Sequence, residues 1–223
     1  MIRSQFMSEA LVISNTKNFV QDSLKDAEGG HDWFHILRVY TNAKHLLKSE
    51  IANSFIVEVA SLLHDIADSK FHGGDEEIGP QKARAFLEAQ TIEQKGLEHV
   101  IKIIENVSYK GGHSHSEFHS KELEIVQDAD RLDALGAIGI ARTFNFGGFK
   151  NNPIYDPSVP AYPEQSKEDY KKSNSPTINH FYEKLLLLKD KMNTNSAKVI
   201  AEKRHNYMVS YLDQFYKEWH GEL

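Results

Sequence analysis

Residues 55–65 read FIVEVASLLHD. The first part of this stretch, residues 55–63, is mostly apolar, as expected for a helix that is buried on every side. It is followed at once by an imidazole and a carboxylate, His64 and Asp65. Packing alone explains such a pair poorly. Either the two residues cap the end of the helix, or both bind one metal ion.

Helical patterns continue on both sides of this stretch, and no segment of useful length alternates in the manner of a strand. We therefore predict an all-α fold, a multi-helix bundle. The predicted helices span about 8–27, 32–48, 54–67, a segment that begins near Pro80, 93–107, 121–133, 134–146, 177–192 and 196–219. The last two form a C-terminal helical pair. Asp32 is expected to cap the second helix.

Residues 147–176 have a different composition, with two glycines, most of the prolines of the chain and several Asn and Ser residues. This composition indicates a long irregular loop on the surface, and such loops are usually functional or mobile. We expect a lid over an active site, whose Phe149, Tyr155 and Tyr162 could stack on a base. Residues 1–223 are predicted to form a single domain.

Bulk composition excludes several classes of protein. The chain has 223 residues, a formal net charge of −6, twelve histidines and no cysteine. An acidic chain is a poor candidate for binding nucleic acid. No apolar run approaches the roughly 20 residues that cross a bilayer, and the N-terminus lacks a signal-peptide pattern, so we expect a cytoplasmic protein with no membrane partner. Histidines and carboxylates are the strong metal ligands that remain.

Four residues on three separate predicted helices could meet around one ion. They are His35, the pair His64 and Asp65, and an aspartate of the segment 128–133, in which Asp130 competes with its two neighbouring aspartates, Asp128 and Asp133. Two imidazoles and two carboxylates suit Mn, Co, Ni, Fe, Mg or Zn. His31 and Asp32 could instead be helix-entry residues, or could orient His35 from behind.

The order of these blocks resembles the H…HD…D signature of the HD-domain metal-dependent phosphohydrolases. The matching segments are HDxxHxxRV at 31–39, LLHDIAD at 62–68 and VQDADRLDALG at 126–136. The resemblance covers about residues 20–145 and is nearest to small stand-alone bacterial members. It implies an all-helical fold and a divalent metal held by His35, His64, Asp65 and Asp130, since the family's last ligand directly precedes the Arg-Leu pair.

The resemblance also implies hydrolysis of a phosphoester in a small phosphorylated metabolite, such as a nucleotide. Related nucleotidases carry an acidic catalytic residue at the position of Asp68, which we take as the base or water-orienting group. Phosphate requires cations, and Arg38 and Arg131 adjoin metal ligands. These two could also simply form ion pairs. Further candidates for substrate binding are Lys70, Lys184 and Arg204.

Several alternatives stay open at this point. His113, His115 and His119 could hold a second ion, although a Gly-Ser loop of solvated histidines explains them more simply. Two iron ions would indicate a di-iron HD-domain oxygenase instead. A regulatory domain that binds a nucleotide without turnover is a non-enzymatic alternative. The chain could form a homodimer.

Overall fold

The computed structural model describes residues 7–25, 32–67, 77–107, 118–162 and 175–223. Within these ranges all the regular structure is helical, which confirms the predicted all-α class. The helices are α1 (Glu9–Ser23), α2 (Trp33–Leu46), α3 (Ser54–Leu63), α4 (Ile78–Glu88), α5 (Gln94–Val107), α6 (Lys121–Asp133), α7 (Gly136–Phe149), α8 (Asn179–Glu183), the 3₁₀ helix η1 (Leu185–Lys191) and α9 (Asn195–Trp219).

The chain divides into two compact units, Met1–Asp130 and Arg131–Leu223. Helix α3 is the central element of the first unit and packs against α1, α2 and α5, while α4 packs against α5. Apart from its N-terminal Ser54 and the half-buried Glu58, every residue of α3 is buried. The side chain of Asn53 caps the helix by accepting a hydrogen bond from the Ile56 N–H. The run of apolar residues is therefore the core of the first unit, as its composition predicted.

In the second unit, α7 packs against α9, and η1 contacts both α8 and α9. Gly147 of α7 lies directly against Thr177, because a Cβ atom at this glycine would stand 2.2 Å from the threonine Oγ1. Gly136, the first residue of α7, has a φ of +71°, a value that L side chains rarely adopt. The two glycines thus allow close approach at one end of α7 and a sharp entry at the other.

Helix α3 ends at Leu63, earlier than the predicted end near residue 67. The imidazole Nδ1 of His64 lies 2.9 Å from the backbone oxygen of Ser61. In a longer helix this carbonyl would instead accept a hydrogen bond from a backbone N–H group. His64 and Asp65 therefore sit on the turn that follows the helix. Asp68, the predicted base or water-orienting group, lies outside the described residues.

The C-terminal region also differs from the sequence-based prediction. A single helix was expected over 177–192, but the chain forms the short α8 and then η1, separated by Lys184 with φ −141° and ψ −56°. Helix α7 runs on to Phe149, beyond its predicted end at residue 146. Phe149 is consequently a helical residue and not part of the loop.

The described part of the loop, residues 150–162, is anchored to the second unit. The backbone N–H groups of Thr177 and Ile178 donate to the carbonyls of Pro153 and Ile154 at 2.8 and 3.0 Å. The Tyr155 ring packs at 5.0 Å from the ring of Trp219, measured between centroids. Tyr155 is therefore an anchor in an aromatic cluster, contrary to its expected role as a free stacking surface. The remaining loop residues, 163–174, lie outside the described part.

No helix in the described ranges has both the length and the apolar character needed to span a bilayer.

Candidate metal centre

Three of the four predicted metal ligands converge in the first unit. One side-chain donor atom from each of His35, His64 and Asp130 lies within 4.8 Å of the others. The Asp130 Oδ1 atom is 3.6 Å from His35 Nε2 and 3.8 Å from His64 Nε2. The two imidazole rings meet edge to face, with centroids 5.4 Å apart. No other group of this kind occurs among the residues that the structure describes.

The first turn of α2 fixes His35. The Asp32 carboxylate accepts a hydrogen bond of 2.9 Å from the His35 backbone N–H, so Asp32 caps the helix as predicted. The His35 side chain is only 2% exposed. A buried imidazole at a capped helix start has little rotational freedom, which suits a ligand that must wait in position for an ion.

The last turn of α3 fixes His64. Its Nδ1 atom lies against the Ser61 carbonyl, so this nitrogen carries the proton and Nε2 is left to face Asp130. Burial alone would lower the pKa of His64, but the Asp130 carboxylate, the charge of Asp65 and the Ser61 carbonyl together raise the pKa above its ordinary value of 6.5. The carboxylates of Asp130 and Asp65 thus make the pocket electronegative, which favours a cation.

Asp65 was predicted to be the fourth ligand. It follows His64 on the same turn, is half-buried, and lies near enough for its charge to act on the His64 imidazole. It does not belong to the group of three converging donors. Its role as a ligand stays a prediction.

The donor set fits a divalent cation. Metal–ligand bonds of about 2.0–2.2 Å place neighbouring donor atoms on the order of 3–3.5 Å apart, close to the 3.6 and 3.8 Å separations in this group. Imidazole nitrogens combined with carboxylate oxygens suit Mn, Fe, Co, Ni and Zn. Asp130 remains 39% exposed, so the centre is open on one side to water or a ligand. Catalytic metal sites need such an open position.

The structure locates only some of the other predicted site residues. Arg38 is half-buried on α2, about one turn after His35, where it can border the centre. Asp68 and Lys70 lie outside the described residues, as do His113 and His115, whereas His119 is exposed. The roles proposed for these residues stay predictions.

The cations predicted in the second unit make contacts of their own. The Arg131 Nη1 atom donates to the Lys191 carbonyl at 2.7 Å, and the Arg204 Nη1 atom donates to the Leu132 carbonyl. Burial lowers the pKa of Arg204 from its ordinary value, while the nearby Asp133 opposes this shift. Lys184 is exposed between α8 and η1. Binding of substrate by these three residues stays a prediction.

The two aspartates that competed with Asp130 are both buried. Asp128 is fully buried, and Asp133 is 1% exposed and pairs with Arg142 at 2.8 Å. The buried Asp133 carboxylate is therefore engaged in an ion pair with Arg142. Asp130 is the aspartate of this segment whose carboxylate meets the two histidines.

Sequence reasoning missed two features near the centre. Phe34 on α2 has an apolar side chain, yet this side chain is 63% exposed beside His35. The Ser61 carbonyl, which orients His64, belongs to the backbone and leaves no mark in a residue pattern. A helical wheel centred on His35 indicates the exposure of Phe34. Adjacent helical residues point about 100° apart, so Phe34 does not share the buried face of His35.

Comparisons with known proteins agree with this geometry. The family model for the HD domain matches residues 33–135. The Bacillus subtilis protein YpgQ is 37% identical over 96% of this chain and 97% of its own. A crystal structure of an HD-superfamily hydrolase from Bacillus thuringiensis superposes with a TM-score of 0.77 at 45% identity, covering 96% of this chain and 99% of that one. The crystal structure of YpgQ in complex with ADP superposes with a TM-score of 0.75 at 35% identity, covering 95% and 97%.

Proposed function

This chain belongs to the HD-domain family of hydrolases, and from that premise we propose that it is a metal-dependent phosphohydrolase acting on a small phosphorylated molecule. The observation that carries the proposal is the convergence of His35, His64 and Asp130 on one point. Hydrolases with this donor set use a divalent ion, which supplies Lewis-acid polarisation of the phosphate and a nucleophile at neutral pH.

The chain's own residues would divide the remaining work. His35, His64 and Asp130 would hold the ion, with Asp65 as the fourth ligand. Arg38, about one turn from His35, would neutralise phosphate charge. Asp68 would orient the attacking water or take its proton. Arg131, Lys184, Arg204 and Lys70 are further candidates for contacts with the phosphates.

We favour a nucleotide as the substrate class. The relative YpgQ has been crystallised with ADP, and it is similar to this chain along almost its whole length. Phe34 exposes an aromatic face next to a ligand of the candidate centre, which offers a surface for a base. A cytoplasmic location and a possible homodimer remain predictions that fit this activity.

The proposal is tested by screening the purified chain against nucleoside mono-, di- and triphosphates and against non-nucleotide phosphates. Mn, Co, Ni, Fe, Mg and Zn are supplied separately to metal-free protein. We expect hydrolysis of at least one nucleotide with at least one of these ions, and none after chelation. His35→Ala, His64→Ala and Asp65→Ala should each abolish metal retention and hydrolysis.

His45→Ala is a matched control, because His45 lies on α2 like His35 but is exposed. It should retain both metal and activity. Full hydrolysis by His64→Ala would refute the proposal. Two irons per chain with no hydrolysis would favour the oxygenase alternative. Tight nucleotide binding without turnover, for every metal, would favour the regulatory domain.

A further inference from the structure

Asn42 makes a polar contact between two of the helices that carry the candidate ligands. It lies on α2, seven residues after His35, so the two side chains share one face of the helix. The Asn42 Nδ2 atom donates a hydrogen bond of 3.2 Å to the backbone carbonyl of Ala129. Ala129 directly precedes Asp130 on α6. The contact therefore ends one residue away from a predicted metal ligand.

Among the contacts between helices α2 and α6 in the described part of the first unit, two lie close to the candidate centre. One is the approach of His35 Nε2 to Asp130 Oδ1 at 3.6 Å, and the other is the bond from Asn42 to Ala129. A rise of about 1.5 Å per residue separates these points by about 10 Å along α2. On α6 the two contacts end at neighbouring residues, Ala129 and Asp130, so together they fix where this part of α6 lies along α2.

The residue type at this position is informative. The buried face of α2 around Asn42 is apolar, with Val39, Ala43 and Leu46 each fully buried. Asn42 beside them is half-buried, so its amide loses part of its contact with water, a cost that the hydrogen bond to Ala129 offsets. A leucine of similar volume would satisfy packing at lower cost. The hydrogen bond to the Ala129 carbonyl therefore explains why an amide occupies this position.

We propose that Asn42 is a positioning residue for the metal centre: its bond to the Ala129 carbonyl sets the register of α2 against α6 and so places the Asp130 carboxylate between His35 and His64. The inference rests on the metal-binding part of the proposed function and is independent of the substrate. Removal of the bond leaves all the ligands present but spaced less favourably. The expected loss of metal affinity is about 10- to 100-fold, as for other residues that orient ligands.

The test compares Asn42→Leu with Asn15→Leu, a matched control. Asn15 is also a half-buried helical asparagine of the first unit, and its Nδ2 atom donates to Gln90 Oε1 at 2.8 Å. Mn²⁺ affinity of the metal-free proteins is measured by calorimetry, the visible spectrum of the Co²⁺-loaded proteins reports the geometry of the ligands, and thermal unfolding reports stability. We expect both variants to lose similar stability, and only Asn42→Leu to lose metal affinity and to change its Co²⁺ spectrum.

Each outcome bears on the proposal. Metal affinity of Asn42→Leu within twofold of the unaltered protein, or an equal loss in both variants, overturns it. Should Asn42→Leu fail to fold, Asn42→Ser takes its place, since its short hydroxyl cannot span the same distance. An unaltered protein that binds none of the ions overturns this inference together with the proposed function, whereas normal metal binding by Asn42→Leu alone overturns only the inference.

Discussion

Phe34 exposes a large aromatic ring one residue before His35 on the first turn of α2. Arg38 follows it by four residues, so an aromatic face and a cation lie on the same side of the helix, next to the candidate ligand. This arrangement suits a base and a phosphate of one small molecule. Stacking of a base on an aromatic side chain is worth about 1–3 kcal/mol when the ring is removed.

Phe34→Ala is therefore expected to weaken ADP binding by roughly 5- to 150-fold, the equivalent of 1–3 kcal/mol. Calorimetric titration with ADP measures this loss directly. Titration with inorganic pyrophosphate is the control, because it has phosphates but no base, and its affinity should not change. Equal losses for both ligands would mean that Phe34 supports the phosphate side or the fold, and unchanged ADP affinity would exclude stacking.

At the residue scale, the motif order was sufficient to predict the convergence of His35, His64 and Asp130. The prediction succeeded because each buried helix has only a few side-chain positions that face the core. The known ligand pattern then identifies which of these positions are candidate ligands. Only the structure reveals the hydrogen bond from His64 to Ser61 and the exposure of Phe34. A backbone carbonyl has no residue identity, and an apolar side chain at helical spacing is read as core by default.

Helix α7 contains adjacent glycines that stand in opposite environments. Gly147 is buried against Thr177, and a Cβ atom there would approach the threonine Oγ1 to 2.2 Å, whereas nothing lies within 4 Å of a Cβ atom at Gly148. Gly147→Ala is expected to lower the free energy of unfolding by about 1–3 kcal/mol through overpacking. Gly148→Ala should raise it by up to about 1 kcal/mol through helix propensity.

Urea unfolding of the two variants beside the unaltered protein measures both shifts. Because the substitutions are identical and neighbouring, helix propensity cancels from the comparison and the contact with Thr177 remains. Equal shifts in the two variants would contradict the close packing of α7 against Thr177.

Helix α8 carries a histidine that the fold keeps neutral. Burial, with a smaller contribution from the Lys184 charge, lowers the pKa of His180 from 6.5 to about 4. Between these values the unfolded chain binds a proton that the folded chain does not, so stability falls as the pH falls from 6.5 towards 4. The full loss is on the order of 3 kcal/mol.

His180→Gln removes this titration and should flatten the pH dependence of unfolding in that window. The urea midpoint at pH 7 and at pH 5 provides the measurement. His220→Gln is the control, since His220 is exposed and follows α9. The idea fails if the difference in midpoint between the two pH values is the same in all three proteins.

At the element scale, sequence patterns located most helices and misjudged some of their ends. The spacing of apolar residues was sufficient to predict α5, whose end at Val107 agrees with the prediction. Leu185–Lys191 has the composition of an α-helix but forms a 3₁₀ helix after the break at Lys184. Local propensity does not reveal this break, and it does not reveal the contact of the His64 side chain with the Ser61 carbonyl at the end of α3.

For the molecule as a whole, bound metal should act as a stabilising ligand. An ion that binds the folded chain alone raises the free energy of unfolding by about 2.7 kcal/mol at a hundredfold excess over its Kd. We expect Mn²⁺ to raise the melting temperature of the unaltered protein, and chelator to reverse the change. Asp130→Asn, which weakens the carboxylate ligand, should show a much smaller rise. A rise of equal size in this variant would place the stabilising ion elsewhere.

The division of the chain at Asp130 and Arg131 was not visible in the sequence. The helical pattern of Lys121–Asp133 runs across this point without a change of composition, and the prediction of one domain is untested. A boundary between compact units depends on which distant residues are in contact. These contacts cannot be identified from a single sequence.

Substitutions before and after the end of α3 should be harmful for two different reasons. Residues 55–63 are almost entirely buried, so substitutions there should reduce how much folded protein a cell accumulates. His64 and Asp65 lie on the turn just beyond, where the His64 side chain faces the candidate metal centre. Substitutions there should leave protein abundance nearly intact while removing activity. Across a single peptide bond, between Leu63 and His64, selection for foldability gives way to selection for chemistry.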